Sequence, residues 1–372
     1  METTPYLAMN RLPEFALWDK LIEARAPLSF DIEITARCNN NCRHCYINLP
    51  ANDIDAQRNE LSLEEIKDIA AQAVDLGAFW CSVTGGEPLL RHDFMEIYLA
   101  LRKKGLLVSL LTNACLVTEK HVAIFKKYPP RDVEVTVYGT TKETYERVTR
   151  QPGSYAHFRR GLGLLLDAGI KVRLKTMALR SNIDELPEIS AFCRQSTYDF
   201  FRFDPLLHLR YDGNQQRNSE IISERLSPGE IIAIEQADEE RAAALEKNCD
   251  KLISGCTQYQ CDHLFHCGAG TSNFVVSYDG IFRLCADLWH PDCTFDLRRD
   301  RLAQAWKELV PRVRDLRSND TFFLAHCHKC PIINLCLWCP AHAYLETGKL
   351  DGFCPYFCEV AHARASALEE RL

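Results

Sequence analysis

The sequence predicts an α/β fold: a partial (β/α)6 barrel of the TIM type, followed by a small irregular domain rich in cysteine. Three observations predict it. Six short apolar runs alternate with helical stretches between residues 30 and 210, helix caps fall between those runs, and eleven of the eighteen cysteines lie after residue 255. A chain of 372 residues, 47% hydrophobic and 26% charged, is long enough for two or three lobes and a large core.

The strand-like runs are FDIEIT from Phe30, FWCSVT from Phe79, LLVSLLT from Leu106, DVEVTVY from Asp132, KVRLKTMA from Lys171 and FFRFDPLL from Phe200. Their near-continuous apolar character suits a parallel sheet covered by helices. Ser62 with Glu65, and Thr140 with Glu143, carry the spacing of capping boxes at helix starts. Gly77, Gly105 and Gly169 stand where the helices should stop before the next strand. Right-handed βα units repeated in this way curl into a barrel whose post-strand loops share one working face.

Residues 1–29 form an extension before the barrel of 30–210. Residues 211–255 are polar and helical in period, with Ser227-Pro228 and Glu230 marking a helix start, and read as a connector. From 256 to 372 regular patterns are scarce and cysteines concentrate, as expected of a lobe held together by metal. A net charge of -7 gives no basic field for nucleic acid or an anionic membrane. No run approaches the ~18 apolar residues of a membrane span, and the N-terminus lacks a signal pattern, so a cytoplasmic location is expected. In a reducing compartment so many cysteines point to metal or cluster ligation rather than to disulfides.

The first post-strand loop reads CNNNCRHCY, which places Cys38, Cys42 and Cys45 at C-x3-C-x2-C. Three converging thiolates fit a four-iron cluster with one iron left open, or a zinc site completed by His44 or a distant ligand. The motif resembles the C-x3-C-x-Φ-C signature of radical S-adenosylmethionine (SAM) enzymes, with His44 at the usually aromatic position and Tyr46 just after. The resemblance implies that the three cysteines hold a [4Fe-4S] cluster whose open iron chelates SAM. It further implies reductive cleavage of SAM to a 5'-deoxyadenosyl radical that abstracts hydrogen from a substrate.

TGGEPLL after the second strand is by itself a glycine turn that lets backbone approach a ligand. It resembles the family's GGEP motif, so Gly85, Gly86, Glu87 and Pro88 are candidate SAM contacts. Thr136 matches a serine or threonine that reaches the ribose in relatives, although threonine is at home in any strand. Tyr138 replaces a common aspartate, so no role transfers to it. Asn113, Arg180 and Asn182 lie on the expected working face as candidate contacts to SAM or substrate, and Tyr46 is a further candidate SAM contact.

Cys267, Gly280 and Cys285 follow C-x12-G-x4-C, and Cys327, Cys330, Cys336 and Cys339 are spaced x2, x5, x2, ahead of Cys354 and Cys358. Paired C-x2-C units alone read as a zinc ribbon. Beside the first motif they resemble the SPASM extension of radical SAM proteins, except that its last internal interval is x3. The resemblance implies two auxiliary [4Fe-4S] clusters, one on Cys267, Cys285, Cys339 and Cys261, the other on Cys327, Cys330, Cys336 and Cys358. Cys354 and Cys256 remain alternatives; Cys81, Cys115, Cys193, Cys249 and Cys293 read as packing residues.

The expected activity is that of a radical SAM/SPASM oxidoreductase acting on a ribosomally made peptide or protein. A small molecule such as a tetrapyrrole is the alternative substrate, and a non-catalytic zinc-binding interaction protein the remote one. The resemblance implies a flavodoxin- or ferredoxin-type electron donor. About 30 residues before the first strand are too few for a peptide-recognition domain, so a separate recognition protein or direct barrel contacts are expected. No residue is assigned as catalytic acid or base.

Overall fold

Six parallel strands form where the apolar runs stand, because each buries side chains on both faces of the sheet. In the computed structural model they are β1 (Ser29–Thr35), β2 (Trp80–Gly85), β3 (Leu107–Thr112), β4 (Asp132–Thr136), β5 (Val172–Met177) and β6 (Arg202–Asp204). The described residues are 20–369 apart from 22, 24, 198–200, 254–261 and 337, so Phe200 lies outside them. Ile32, Val83, Val108, Leu110, Val133 and Val135 are fully buried along the strands. Five helices and one further helix after β5 alternate with the strands: α1 (Leu63–Asp75), α2 (Phe94–Lys103), α3 (Glu119–Lys127), α4 (Lys142–Thr149), α5 (Ser154–Asp167) and α6 (Leu186–Ser196).

Ser62 and Glu65 make the expected reciprocal cap of α1. Gly77, Gly105 and Gly169 take φ of +114°, +84° and +68° just beyond helix ends. The cap of α4 differs from expectation by one residue. Thr141 receives the Thr144 N–H, while the hydroxyl and N–H of Thr140 both go to Glu185, which starts α6.

The sheet continues on the β1 side with strands drawn from the cysteine-rich part: β7 (Asn273–Val276), β8 (Ile281–Arg283) and β9 (Phe295–Asp296). The order is β9-β8-β7-β1-β2-β3-β4-β5-β6, with β7 parallel to β1 and the last two antiparallel. Phe30, Phe274 and Phe282 stack across the seam at ring separations of 5.3 and 5.2 Å. Beneath them Arg283 donates to Glu33 at 2.7 Å, both wholly buried. Burial pushes the Glu33 carboxyl up to about 7, and Arg283 holds it from rising further.

Residues 211–253 fold into α7 (Gln215–Glu224), α8 (Pro228–Ala237) and α9 (Glu239–Ile253). Two C-terminal helices follow, α10 (Pro340–Thr347) and α11 (Pro355–Glu369). Arg364 of α11 clamps Glu235 of α8 through two hydrogen bonds of 2.7 and 3.0 Å, which locks the last helix against this segment. Among the described residues no helix is long and apolar enough to cross a membrane.

Arg283→Met alone should lower unfolding stability by about 3–5 kcal/mol, because it strands a buried carboxylate. The double replacement Glu33→Leu with Arg283→Met should recover most of that loss, as read from urea denaturation midpoints. Burial would raise the Glu185 carboxyl, but hydrogen bonds from Thr141, Thr144 and the Thr140 and Thr141 N–H groups hold it down to about 2. Its folded pKa lies below the unfolded value, so its contribution is full above about pH 4.5 and is lost as pH falls toward 2. The stability gap between wild type and Glu185→Gln should therefore close across that window.

Candidate functional site

At the mouth of the barrel, the turn after β2 grips the root of the cysteine loop. The Gly86 N–H donates to the Thr35 carbonyl at 2.7 Å, and the Glu87 N–H to that of Arg37 at 2.9 Å. A Cβ on Gly85 would stand 2.1 Å from the Thr35 oxygen, and one on Gly86 2.3 Å from that of Arg37. Pro88 then opens a buried 3-10 turn. The Glu87 carboxylate, fully buried, accepts from the Leu89 N–H, the Thr112 hydroxyl and the Asn113 N–H, tying the third post-strand loop to the second. Burial raises its pKa to about 7 against those three donors.

Arg37, immediately before Cys38, is itself buried and makes two hydrogen bonds to Glu60, at 2.8 and 3.1 Å. The three sulfurs gather beyond it. Cys38 Sγ accepts from the Asn40 N–H at 3.4 Å and from Asn113 Nδ2 at 3.8 Å. Burial pushes the Cys38 and Cys42 thiols well up, and each is raised further by its neighbouring cysteines. The Tyr138 hydroxyl donates to Cys42, so the residue that replaces an aspartate faces a thiol. His44 packs on Tyr138 with ring centres 5.1 Å apart, and burial, then the Arg217 charge, lower its pKa to about 3.

Three arginines hold the loop's carbonyls from outside. Arg150 Nε donates to Asn41 O at 2.7 Å, Arg217 to Cys42 O at 2.8 Å and Arg210 to Asn48 O at 3.1 Å. They line an open cavity of about 570 Å³ with Cys38, Asn39 and Asn40. Arg217 belongs to α7, so a segment read as a connector reaches the site directly.

Thr136 is half-buried at the end of β4. Arg180 pairs with Glu230 at the start of α8 and is exposed. Asn182 is buried and donates to the Tyr138 and Met177 carbonyls, bracing the loop beneath the cysteines. Tyr46 packs beside Ala36, Ile47 and Tyr278, with Glu33, Asp287 and Cys45 as its charged neighbours.

The later cysteines fall into two groups. Cys285 and Cys339 feel each other and Cys267, and burial raises the Cys285 thiol to about 12. Cys327, Cys330, Cys336 and Cys358 line one apolar pocket with Cys354. Burial, then the charges of neighbouring cysteines, raise Cys327 to about 11 and Cys336 to about 12, with Cys358 the strongest of those neighbours for both. Cys261 and Cys256 lie outside the described residues. Cys81, Cys115, Cys193 and Cys293 are buried in the core, as packing residues should be. Sequence reasoning passed over His208, Asp287 and His342, which converge beside Cys285 and Cys339. Burial would push the Asp287 carboxyl up, but the two imidazoles hold it well below the usual range.

The sequence profile of the Radical SAM superfamily matches residues 32–193, the segment carrying the cysteine loop and the glycine turn. Residues 32–193 are a radical SAM domain. This radical SAM enzyme is 25% identical over 339 residues to the antilisterial bacteriocin subtilosin biosynthesis protein AlbA of Bacillus subtilis, covering 84% of this chain and 67% of that one. It is 22% identical over 340 residues to an AdoMet-dependent heme synthase of Nitratidesulfovibrio vulgaris, covering 85% and 88%. Its fold is similar to that of Streptococcus suis SuiB bound to the precursor peptide SuiA, with a TM-score of 0.68, 16% identity, and coverage of 91% and 78%.

A radical SAM domain implies a [4Fe-4S] cluster and SAM, and the first cysteine group fits that cluster. Burial and neighbouring charges raise the Cys38 and Cys42 thiols, Cys45 stands beside them on the same loop, and the side-chain atoms of Asn40 and Nδ1 of His44 are buried without a hydrogen-bond partner. A metal cluster stabilises the thiolate form that burial alone disfavours.

Gly86→Ala should push the backbone at Arg37 and displace Cys38, Cys42 and Cys45. The variant is expected to fold, by circular dichroism, yet to retain roughly four fewer irons per chain after anaerobic reconstitution.

Proposed function

We propose that this radical SAM enzyme abstracts a hydrogen atom from a ribosomally made peptide or protein. The observation that carries the reading is the gathering of Cys38, Cys42 and Cys45 at the barrel mouth, beside an open cavity of about 570 Å³. In it, Cys38, Cys42 and Cys45 hold the cluster. When bound, cluster and SAM together supply a 5'-deoxyadenosyl radical. Gly85, Gly86, Glu87 and Pro88 form the backbone ledge that would meet SAM, with Asn113, Thr136 and Tyr46 around it. Cys267, Cys285 and Cys339, with Cys261, hold one auxiliary cluster; Cys327, Cys330, Cys336 and Cys358 hold the second.

The chain's own residues do the positioning. Asn113 donates to Cys38 Sγ, and Tyr138 to Cys42. Such donors lower electron density on the sulfurs and so tune the potential at which the cluster accepts an electron. The arginines fix the backbone of the loop that carries the three cysteines. Support for a peptide comes from the similarity to a bacteriocin biosynthesis protein and from a fold shared with an enzyme that binds a precursor peptide.

A tetrapyrrole substrate is the second reading, favoured by the heme synthase alignment that spans 85% of the chain. Anaerobic reconstitution should give about twelve irons per chain. Reduction in the presence of SAM should release 5'-deoxyadenosine, and Cys42→Ala should release none. Cys358→Ala should lose about four irons and Cys354→Ala none, if Cys358 is the ligand. A peptide encoded beside the gene should change mass in step with 5'-deoxyadenosine formation; stimulation by an iron porphyrin instead selects the second reading. No 5'-deoxyadenosine under any of these conditions overturns both.

A further inference from the structure

His208, Asp287 and His342 come from three distant parts of the chain: the loop after β6, the segment two residues past Cys285, and the first turn of α10. Folding brings one ligand atom from each to within 4.8 Å of the others. His208 Nδ1 lies 2.9 Å from Asp287 Oδ2, and His342 Nε2 lies 3.7 Å from that same oxygen. The two rings stand with centres 4.0 Å apart.

Without an ion the carboxylate can accept from His208 at hydrogen-bond distance, and the same geometry also admits a metal. Donors bound at about 2.0–2.2 Å to one tetrahedral or octahedral ion sit roughly 3 to 3.5 Å from each other. The observed separations of 2.9 and 3.7 Å bracket that range. The side chains are also held in place. The His342 backbone N–H donates to Cys339 Sγ, and its ring stacks on Phe357 at 5.3 Å. His342 Nδ1 is buried with no hydrogen-bond partner, and an ion at Nε2 would take that nitrogen's lone pair, moving the ring proton to Nδ1.

We propose that His208, Asp287 and His342 bind one divalent transition-metal ion of the zinc class, separate from the iron-sulfur clusters. Two imidazoles and a carboxylate are borderline donors suited to zinc or ferrous iron, whereas the clusters draw on thiolates. Three protein ligands also leave a position open, as in catalytic rather than structural zinc sites. The Asp287 charge is felt by Cys285, Cys339 and Tyr46, and Tyr46 also feels Cys45. The ion is therefore near both the nearer of the later cysteine groups and Tyr46 beside the first, and its open position would take an oxygen or nitrogen donor of the substrate. The inference does not depend on whether that substrate is a peptide or a tetrapyrrole.

The test uses the full-length enzyme with its clusters reconstituted, exposed to zinc chloride and then dialysed against metal-free buffer. About one zinc per chain should be retained at unchanged iron content. Zinc K-edge absorption should show a nitrogen and oxygen shell at about 2.0–2.1 Å with imidazole scattering beyond it. His208→Ala and His342→Ala should each lower zinc retention at least tenfold. Absence of retained zinc in the wild type overturns the site, as does a sulfur shell near 2.3 Å, which places the zinc on cysteines. Undiminished retention in both variants overturns it equally. The wild-type spectrum decides the matter even if a variant fails to fold.

Discussion

The close approach of the Gly85-Gly86 backbone to Thr35–Arg37 is the contact on which the site depends. Space for a single β-carbon is missing there, since either added atom would lie under 2.5 Å from a carbonyl oxygen. Because the second post-strand turn seats directly on the end of β1, the direction in which the chain leaves toward Cys38 is fixed by hydrogen bonds rather than by loop preference. Glu87 carries the constraint one loop further, to Thr112 and Asn113. Asn113 then returns to Cys38 itself. Three consecutive strand ends are thus coupled through one turn, and the sulfur positions inherit their rigidity from the sheet.

A second layer of order comes from arginines placed inside the protein. Arg37 with Glu60, Arg283 with Glu33 and Arg364 with Glu235 are all nearly or wholly buried. Such pairs add little net stability, because desolvation offsets much of their attraction. Their forked geometry nonetheless admits few relative placements of the elements they join. Arg37 sets the root of the cysteine loop, Arg283 fixes the C-terminal strands against β1, and Arg364 fixes the last helix. The chain's overall charge of -7 gives no hint of this local concentration of cations around the loop.

The parts of the fold that were legible in the sequence are those dictated by local chemistry. DVEVT and LVSLLT form strands where the apolar runs stand, and Ser62 with Glu65 caps a helix from four residues of local sequence. At the one-residue shift, Glu185, 45 positions from Thr140, holds both threonine hydroxyls, and the Thr141 hydroxyl is the one that also accepts the Thr144 N–H. The strands NFVV and IFR escaped notice for a related reason: they are too short to show a period, and only the free edge of β1 makes strands of them. In the site, cysteine spacing was readable because its ligands are close in sequence. Arg217, His208, Asp287 and His342 offer no spacing, since each stands alone and meets its partners only through the tertiary fold.

The interval between Cys336 and Cys339 shows how local geometry sorts ligands that sequence places side by side. Cys336 ends a short helical turn and faces Cys327, Cys330 and Cys358. Cys339, three residues on, is extended at φ -147° and ψ 154° and caps α10, with Pro340 as its first helical residue. Proline excludes the helical conformation for the residue before it, so the turn cannot run on into α10 and the backbone must open at Cys339. That opening sends the Cys339 sulfur toward Cys285 and Cys267. The shortened x2 interval is therefore accommodated by a helix stop and a helix start set back to back. The same start carries His342 three residues further, on the first turn of α10, so the proline that divides the cysteines also aims an imidazole at Asp287.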